Sequence, residues 1–275
     1  MVDWNSLTIG QHRITCPCCG RNPKDKTASL KIDLNGVGIM HCFRCDHKER
    51  RKPNGTSTFQ QSTDKPQCRP QVERHTTLSE WGHMIWNQCQ PISGVAQAYL
   101  NPRRCVTPPK DGHLRWHADL KHTPSGYRGA ALVGLVTDAL TREPLSLHRT
   151  WITETGKAPV NPSRMQLAGH SLANGVIRLW PDDYVNSGLG IAEGIETALS
   201  LAHGYQPVWS VLDANHMASM PVIPSVEVLM IAKDNDPAGR MAALTCAKRW
   251  FAASRKVLIS TQTANDLNDL LGNPT

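Results

Sequence analysis

Leu189-Gly190-Ile191-Ala192-Glu193-Gly194-Ile195-Glu196-Thr197 and Val228-Leu229-Met230-Ile231-Ala232-Lys233-Asp234-Asn235-Asp236 are two short apolar runs that each stop at acid. Runs of this length, bounded by turn residues, suit strands buried on both faces. Helical patterns follow them, from Ile195 to His203 and from Ala238 to Ala253. Strand alternating with helix predicts βαβ units and a parallel sheet. In such sheets ligand chemistry collects beyond the carboxyl ends of the strands. Glu193 would end one strand, and Asp234 and Asp236 the other. Three carboxylates brought to one edge repel one another unless a cation lies between them. Oxygen donors alone favour magnesium or manganese over zinc. A metal-dependent phosphoryl-transfer centre is the chemistry this pattern implies.

The nine cysteines are clustered. Cys16-Pro17-Cys18-Cys19-Gly20 and His41-Cys42-Phe43-Arg44-Cys45 offer two C-x-x-C knuckles when Cys16 pairs with Cys19 and Cys42 with Cys45. Twenty-two residues separate the knuckles. Each gives two thiolates to one metal from a tight turn, with Gly20 easing the first turn. Between them, Ser29–Leu34 and Val37–Met40 flank Asn35-Gly36, a hairpin signal. Four thiolates on a hairpin describe a zinc ribbon whose Zn2+ is structural, because no coordination position stays open. Cys18 and His41 would give poorer spacing and are left out of the ligand set.

Glu193-Gly194-Ile195-Glu196-Thr197-Ala198, then Asp234-Asn235-Asp236-Pro237-Ala238-Gly239-Arg240, resembles the Toprim domain of primases, topoisomerases and some nucleases. The wording is similar to the phage and plasmid primase branch, as is the late Asp266-Leu267-Asn268-Asp269-Leu270-Leu271. The ribbon resembles the N-terminal zinc module of that branch, with Asp46 where a glycine often follows the last cysteine. The resemblance implies DNA-templated synthesis of short RNA primers, with Glu193, Asp234 and Asp236 holding Mg2+ or Mn2+. Glu193 acting as general base is equally compatible. Cellular primases carry an aspartate four residues beyond the Toprim glutamate, where this chain has Thr197. Asp266 and Asp269 are read as near the site, with a helix cap the alternative for Asp266.

The formal charge of +7 is uneven. Residues 1–75 carry 13 Lys and Arg against 7 Asp and Glu, residues 76–187 carry 11 against 8, and residues 188–275 carry 6 against 8. A basic N-terminal part ahead of an acidic, metal-binding part suits a polyanion held at one end and processed at the other. Arg21, Lys24, Lys26, Lys31 and Arg44 surround the ribbon, which points to a single-stranded DNA template. From Lys48 to Thr77 apolar residues nearly vanish, so a flexible linker is expected there, with Cys68 incidental.

The middle region is less explicit. Leu78, Trp81 and Ile85 have helical spacing and read as core, and Ala96–Arg104 reads as a helix ended near Pro102. Ala130–Val136 and Pro144–Ile152 read as paired strands. The second carries His148-Arg149-Thr150, ahead of Gly156-Lys157, and is similar to the region before Toprim in those primases. Arg149 and Lys157 are the candidate contacts for template or nucleotide phosphate, a surface ion pair being the alternative.

The fold expected is α/β: a Toprim-type parallel sheet flanked by helices at the C-terminus, a small N-terminal zinc ribbon and an α+β middle region. The domains would be 1–47 ribbon, 48–77 linker, 78–187 primase-specific region and 188–275 Toprim. The function expected is a DNA primase of a phage, plasmid or other mobile element, acting on single-stranded DNA with ribonucleoside triphosphates. The alternatives are a Toprim-type nuclease and a non-catalytic zinc-ribbon DNA-binding accessory of a replication helicase. With no P-loop motif in this sequence, the replicative helicase is expected either as a separate partner or as a downstream continuation of the chain. No membrane span and no signal peptide are read from the sequence, and a cytoplasmic location is expected.

Overall fold

The computed structural model describes residues 2–20, 25–45, 47–51, 75–262 and 264–272. Arg21, Lys24, Asp46, Cys68 and most of the expected linker, 52–74, lie outside the described residues. The chain divides into two compact units, 1–73 and 74–275.

In the first unit β1 (Gly10–Ile14), β2 (Ala28–Ile32), β3 (Gly38–Cys42) and β4 (Lys48–Arg51) form an antiparallel sheet in that order. The β2–β3 turn is the expected Asn35-Gly36, with Gly36 at φ +75°. Asp33 Oδ1 tightens it by accepting from the backbone N–H of Asn35 and Val37 at 2.9 and 2.8 Å. One face of the sheet buries Ala28, Leu30, Ile32, Met40 and Cys42. The stretch expected to begin a linker at Lys48 instead adds β4, pairing His41 with Lys48 and Gly38 with Arg51. Its charged side chains suit an edge strand, and Arg51 Nη1 donates to the Trp4 carbonyl at 3.0 Å.

The second unit contains α1 (Glu80–Gln88), α2 (Gly94–Leu100), β5 (Leu114–Lys121), β6 (Arg128–Asp138), β7 (Pro144–Trp151), β8 (Arg164–Gln166) and β9 (Gly175–Ile177). It continues through β10 (Gly188–Ala192), α3 (Ile195–Leu201), β11 (Val208–Ser210), α4 (Ala214–Ser219), β12 (Val228–Ala232), α5 (Pro237–Ala252), β13 (Lys256–Ile259) and α6 (Leu267–Gly272). A nine-stranded sheet runs β13-β12-β10-β11-β9-β6-β7-β8, with β5 also on β6. β13, β12, β10 and β11 are parallel, and antiparallel pairing begins where β11 meets β9. One sheet therefore includes strands from both sides of residues 187 and 188, the expected boundary between the primase-specific region and the Toprim region.

Both decisive runs are strands buried on two faces. Leu189, Ile191, Leu229 and Ile231 pack with Ala242, Ala243, Cys246 and Trp250 of α5. Ala192 and Ala232 belong instead to the core containing Ala198 and Leu199 of α3. The register Ala192↔Ala232 brings Glu193 and Asp234 to the same edge of the sheet. On α1 the buried stripe is Leu78, Gly82, Ile85 and Cys89, not the expected one through Trp81, which is 50 % exposed. Gly82, packed tightly on Leu78 and Leu167, turns that face inward.

Trp250 is fully buried, and its indole N–H has no partner. Trp250→Ala is expected to destabilise the chain by about 3–5 kcal/mol in urea unfolding. Trp250→Phe, which removes an unpaired donor while keeping an aromatic ring, is expected to cost far less.

Candidate active site

The carboxyl edge of the parallel strands opens on a cavity of about 460 Å3. Acids from four chain segments line it: Glu193 after β10, Asp213 after β11, Asp234 after β12, and Asp266 and Asp269 at α6. Arg103, Lys157 and Arg164 line it too, all from the segment preceding β10. Anionic and cationic groups thus share one cavity within a single unit.

Burial, reinforced by Asp234, Asp236 and Asp213, pushes the Glu193 carboxyl up to about 7. Burial, then Asp266, Asp236 and Asp269, pushes Asp234 up to about 6, with Arg164 pulling it the other way. Glu193 Oε1 and Asp234 Oδ1 are buried without a hydrogen-bond partner. Two orphaned carboxylate oxygens in an all-oxygen setting fit a divalent cation. Among the described residues the side chains gathered as a ready metal-binding group are the four cysteines of the other unit, and the acids are not such a group.

Local contacts hold these groups. The Glu193 carbonyl accepts from Ser210 Oγ at 2.9 Å, tying the end of β10 to β11. Asp236 is the N-cap of α5, its Oδ1 accepting from the Gly239 N–H at 2.7 Å ahead of Pro237 in the first turn. Asp236 therefore caps the helix and reaches Glu193 and Asp234 through its charge. A Cβ on Gly239 would lie 2.6 Å from the Asp234 carbonyl oxygen, so only glycine lets α5 start this close to Asp234. Asp266 caps α6 through the Asp269 N–H at 2.8 Å and also lines the cavity, so both of its sequence readings hold. Asn268 ties α6 to Ser200 Oγ and to the Arg103 carbonyl, each at 3.0 Å.

Lys157 lines the cavity, its ammonium pKa lowered by burial and by nearby Arg164. Arg149 does not. It is 4 % exposed, lies 5.4 Å from the Trp151 ring centroid and donates to the Gln166 carbonyl at 2.8 Å. Strand parity explains the difference: on β7 Arg149 shares its face with Leu147 and Trp151, whereas His148 interacts electrostatically with Arg164 and Glu196. Asp213, Arg103 and Arg164 are not evident from the sequence. Arg164 follows the Gly156-Lys157 turn by seven residues, and Asp213 follows a strand of only three.

In the other unit the Sγ atoms of Cys16, Cys19, Cys42 and Cys45 all lie within 4.8 Å of one another, with Cys16–Cys45 at 3.7 Å and Cys19–Cys42 at 3.5 Å. A tetrahedral ion about 2.3 Å from each sulfur requires S···S of roughly 3.8 Å. Cys18 and His41 lie outside this group. Gly20 contributes space: a Cβ there would sit 2.5 Å from the Cys16 carbonyl oxygen. Arg44, one of the basic residues read as surrounding the ribbon, forks onto Asp25 and donates to the Cys19 carbonyl at 3.1 Å, strapping the two knuckles together.

A carboxyl whose folded pKa lies above its unfolded value stabilises the fold fully below the unfolded value and loses that contribution as pH rises through the folded one. Glu193, with an ordinary value of 4.5 and a folded value of about 7, is such a group. In metal-free protein Glu193→Gln is expected to raise the melting temperature at pH 8 and leave it unchanged at pH 4. Differential scanning calorimetry at the two pH values checks this.

Residues 188–274 match the Toprim domain, and residues 76–179 match a domain of unknown function (DUF7146). None of the curated proteins matches the sequence. Among solved structures, the primase fragment of the bacteriophage T7 primase-helicase protein is similar, with 16 % identity over 95 % of this chain and 94 % of that one, at a TM-score of 0.44. The Aquifex aeolicus primase (zinc binding and RNA polymerase domains) has 13 % identity over 96 % of this chain and 76 % of that one, at 0.47. The strand order, the acids at the carboxyl edge and the domain match agree: the C-terminal part of this chain, residues 188–274, is a Toprim domain.

Proposed function

We propose that the chain is a DNA primase of a phage, plasmid or other mobile element, joining ribonucleotides into short primers on single-stranded DNA. The observation that carries this reading is the two-sided cavity, where unpartnered carboxylate oxygens of Glu193 and Asp234 share a Toprim edge with Arg103, Lys157 and Arg164. Glu193 and Asp234, with Asp236 behind them, would hold Mg2+ or Mn2+. That ion would offset charge on the triphosphate and activate the attacking hydroxyl. The chain's own cations take the other share. Arg103 and Arg164 present planar donors that match phosphate oxygens in pairs, and Lys157 acts as a point charge. A nuclease needs the acids and the metal; a wall of three cations facing them suits a triphosphate substrate.

The four-thiol cluster would carry Zn2+ and hold the ribbon together. Directly opposed residues of its sheet share a face. The face turned away from the core carries Arg13, Ser29, His41 and Lys48 in one row and Gln11, Lys31, Ile39 and Arg50 in the next. Phe43, 63 % exposed, lies beside them with Arg13 over its ring at 5.0 Å and His41 against its edge. Cations around an exposed aromatic ring, with no acid in either row, suit a single-stranded template. A replicative helicase acting in trans and a cytoplasmic setting accompany this reading. Among the described residues no helix is long and apolar enough to cross a membrane.

Purified protein, single-stranded DNA, labelled ribonucleotides and Mg2+ or Mn2+ are expected to give short RNA products that Asp234→Ala abolishes. Degraded DNA that Asp234→Ala spares would instead establish the nuclease. Strand binding with neither activity, also in the presence of a cognate helicase, would establish the accessory. Asp236→Asn keeps the helix cap and removes the charge, whereas Asp236→Ala loses both. Both are expected to lower primer yield at least tenfold, and only Asp236→Ala to cost about 1 kcal/mol of stability.

A further inference from the structure

Glu196 lines the same cavity but is bound quite differently from Glu193 and Asp234. It is 8 % exposed, and its Oε1 accepts from Tyr99 Oη at 2.8 Å and from Arg164 Nη2 at 2.9 Å. Tyr99 is fully buried. Arg103 packs over its ring at 3.9 Å and donates to its carbonyl at 2.8 Å. One buried tyrosine–glutamate pair therefore organises two of the three cations that face the acids.

A buried carboxylate is costly unless hydrogen bonds and an opposite charge compensate it, and Glu196 has both. The need for it lies across the cavity. The Arg164 side chain is 43 % exposed, and it interacts electrostatically with Asp234 and Asp266 as well as with Glu196. A long, partly exposed guanidinium opposite a wall of carboxylates is drawn onto them unless something nearer holds it. Once there, it would neutralise the acids and close the space between the walls.

We infer that Glu196, held by Tyr99, is a positioning residue that keeps Arg164 on the cationic wall and so leaves the carboxylates free for a divalent cation and the cavity open for a phosphate chain. The phosphate chain as ligand rests on the primase reading, whereas the restraint on Arg164 does not.

Full-length wild type, Glu196→Gln, Tyr99→Phe, Arg164→Gln and the double variant Glu196→Gln/Arg164→Gln would be compared by Mn2+ titration, free ion being read by electron paramagnetic resonance. Glu196→Gln is expected to weaken Mn2+ binding about tenfold, the scale of one charge-assisted contact, and Tyr99→Phe several-fold. Adding Arg164→Gln is expected to restore binding to the wild-type level. A merely structural role for Glu196 would not be corrected by removing a second side chain. Weakening that persists in the double variant, or no weakening at all, would overturn the inference. Crystals of Glu196→Gln test the restraint independently of metal: Arg164 within 4 Å of Asp234 or Asp266 supports it, and Arg164 unmoved beside Tyr99 sinks it. Wild type that passes these tests yet makes no primers would refute the primase reading and leave the restraint standing.

Discussion

Like charge at the end of parallel strands is the constraint on which this molecule depends. The register that pairs Ala192 with Ala232 buries two apolar runs and leaves Glu193 and Asp234 no direction other than a shared edge. Burial and repulsion raise both carboxyls well above their ordinary values, and neither finds a hydrogen bond for its buried oxygen. Packing places the acids, and countercharge must come from outside the strands. The segment before β10 supplies part of it through Arg103, Lys157 and Arg164.

The chain spends its basic residues in two distinct ways. Arg44 straps the knuckles, Arg149 lies under Trp151, and Arg178 is 3 % exposed, with Nε on Asp182 at 2.9 Å. These guanidiniums hold the fold. Arg13, Lys31 and Arg50 on the ribbon face, and Arg103, Lys157 and Arg164 in the cavity, remain within reach of a ligand. Net charge alone does not separate the two uses; the number of donors already committed inside the protein does.

How much is legible in the sequence follows how local each signal is. The apolar runs ending in acid, the C-x-x-C knuckles and the Asn35-Gly36 turn are set by neighbours a few residues apart, and each forms as read. Arg149 departs from its expected place by one step of strand parity, which moves a side chain to the opposite face. Trp81 has the spacing of a core residue, but spacing alone does not reveal that Gly82 brings the adjoining face closer. Asp213 is hidden because β11 is too short to show a pattern, and Arg103 and Arg164 because tertiary folding alone brings them to Glu193. Tyr99 and Glu196 meet across 97 positions, a distance no motif spans.

The unbroken sheet also has a bearing on inheritance. Genes exchange segments, and a crossover succeeds where it severs few contacts. A junction at residue 187 would separate β9 from β11 and strip Arg103, Lys157 and Arg164 from the acids they face. A recombinant formed there would inherit an exposed strand edge and half a cavity. Residues on both sides of that junction therefore share one sheet and one cavity, whereas the ribbon is a compact unit with its own core.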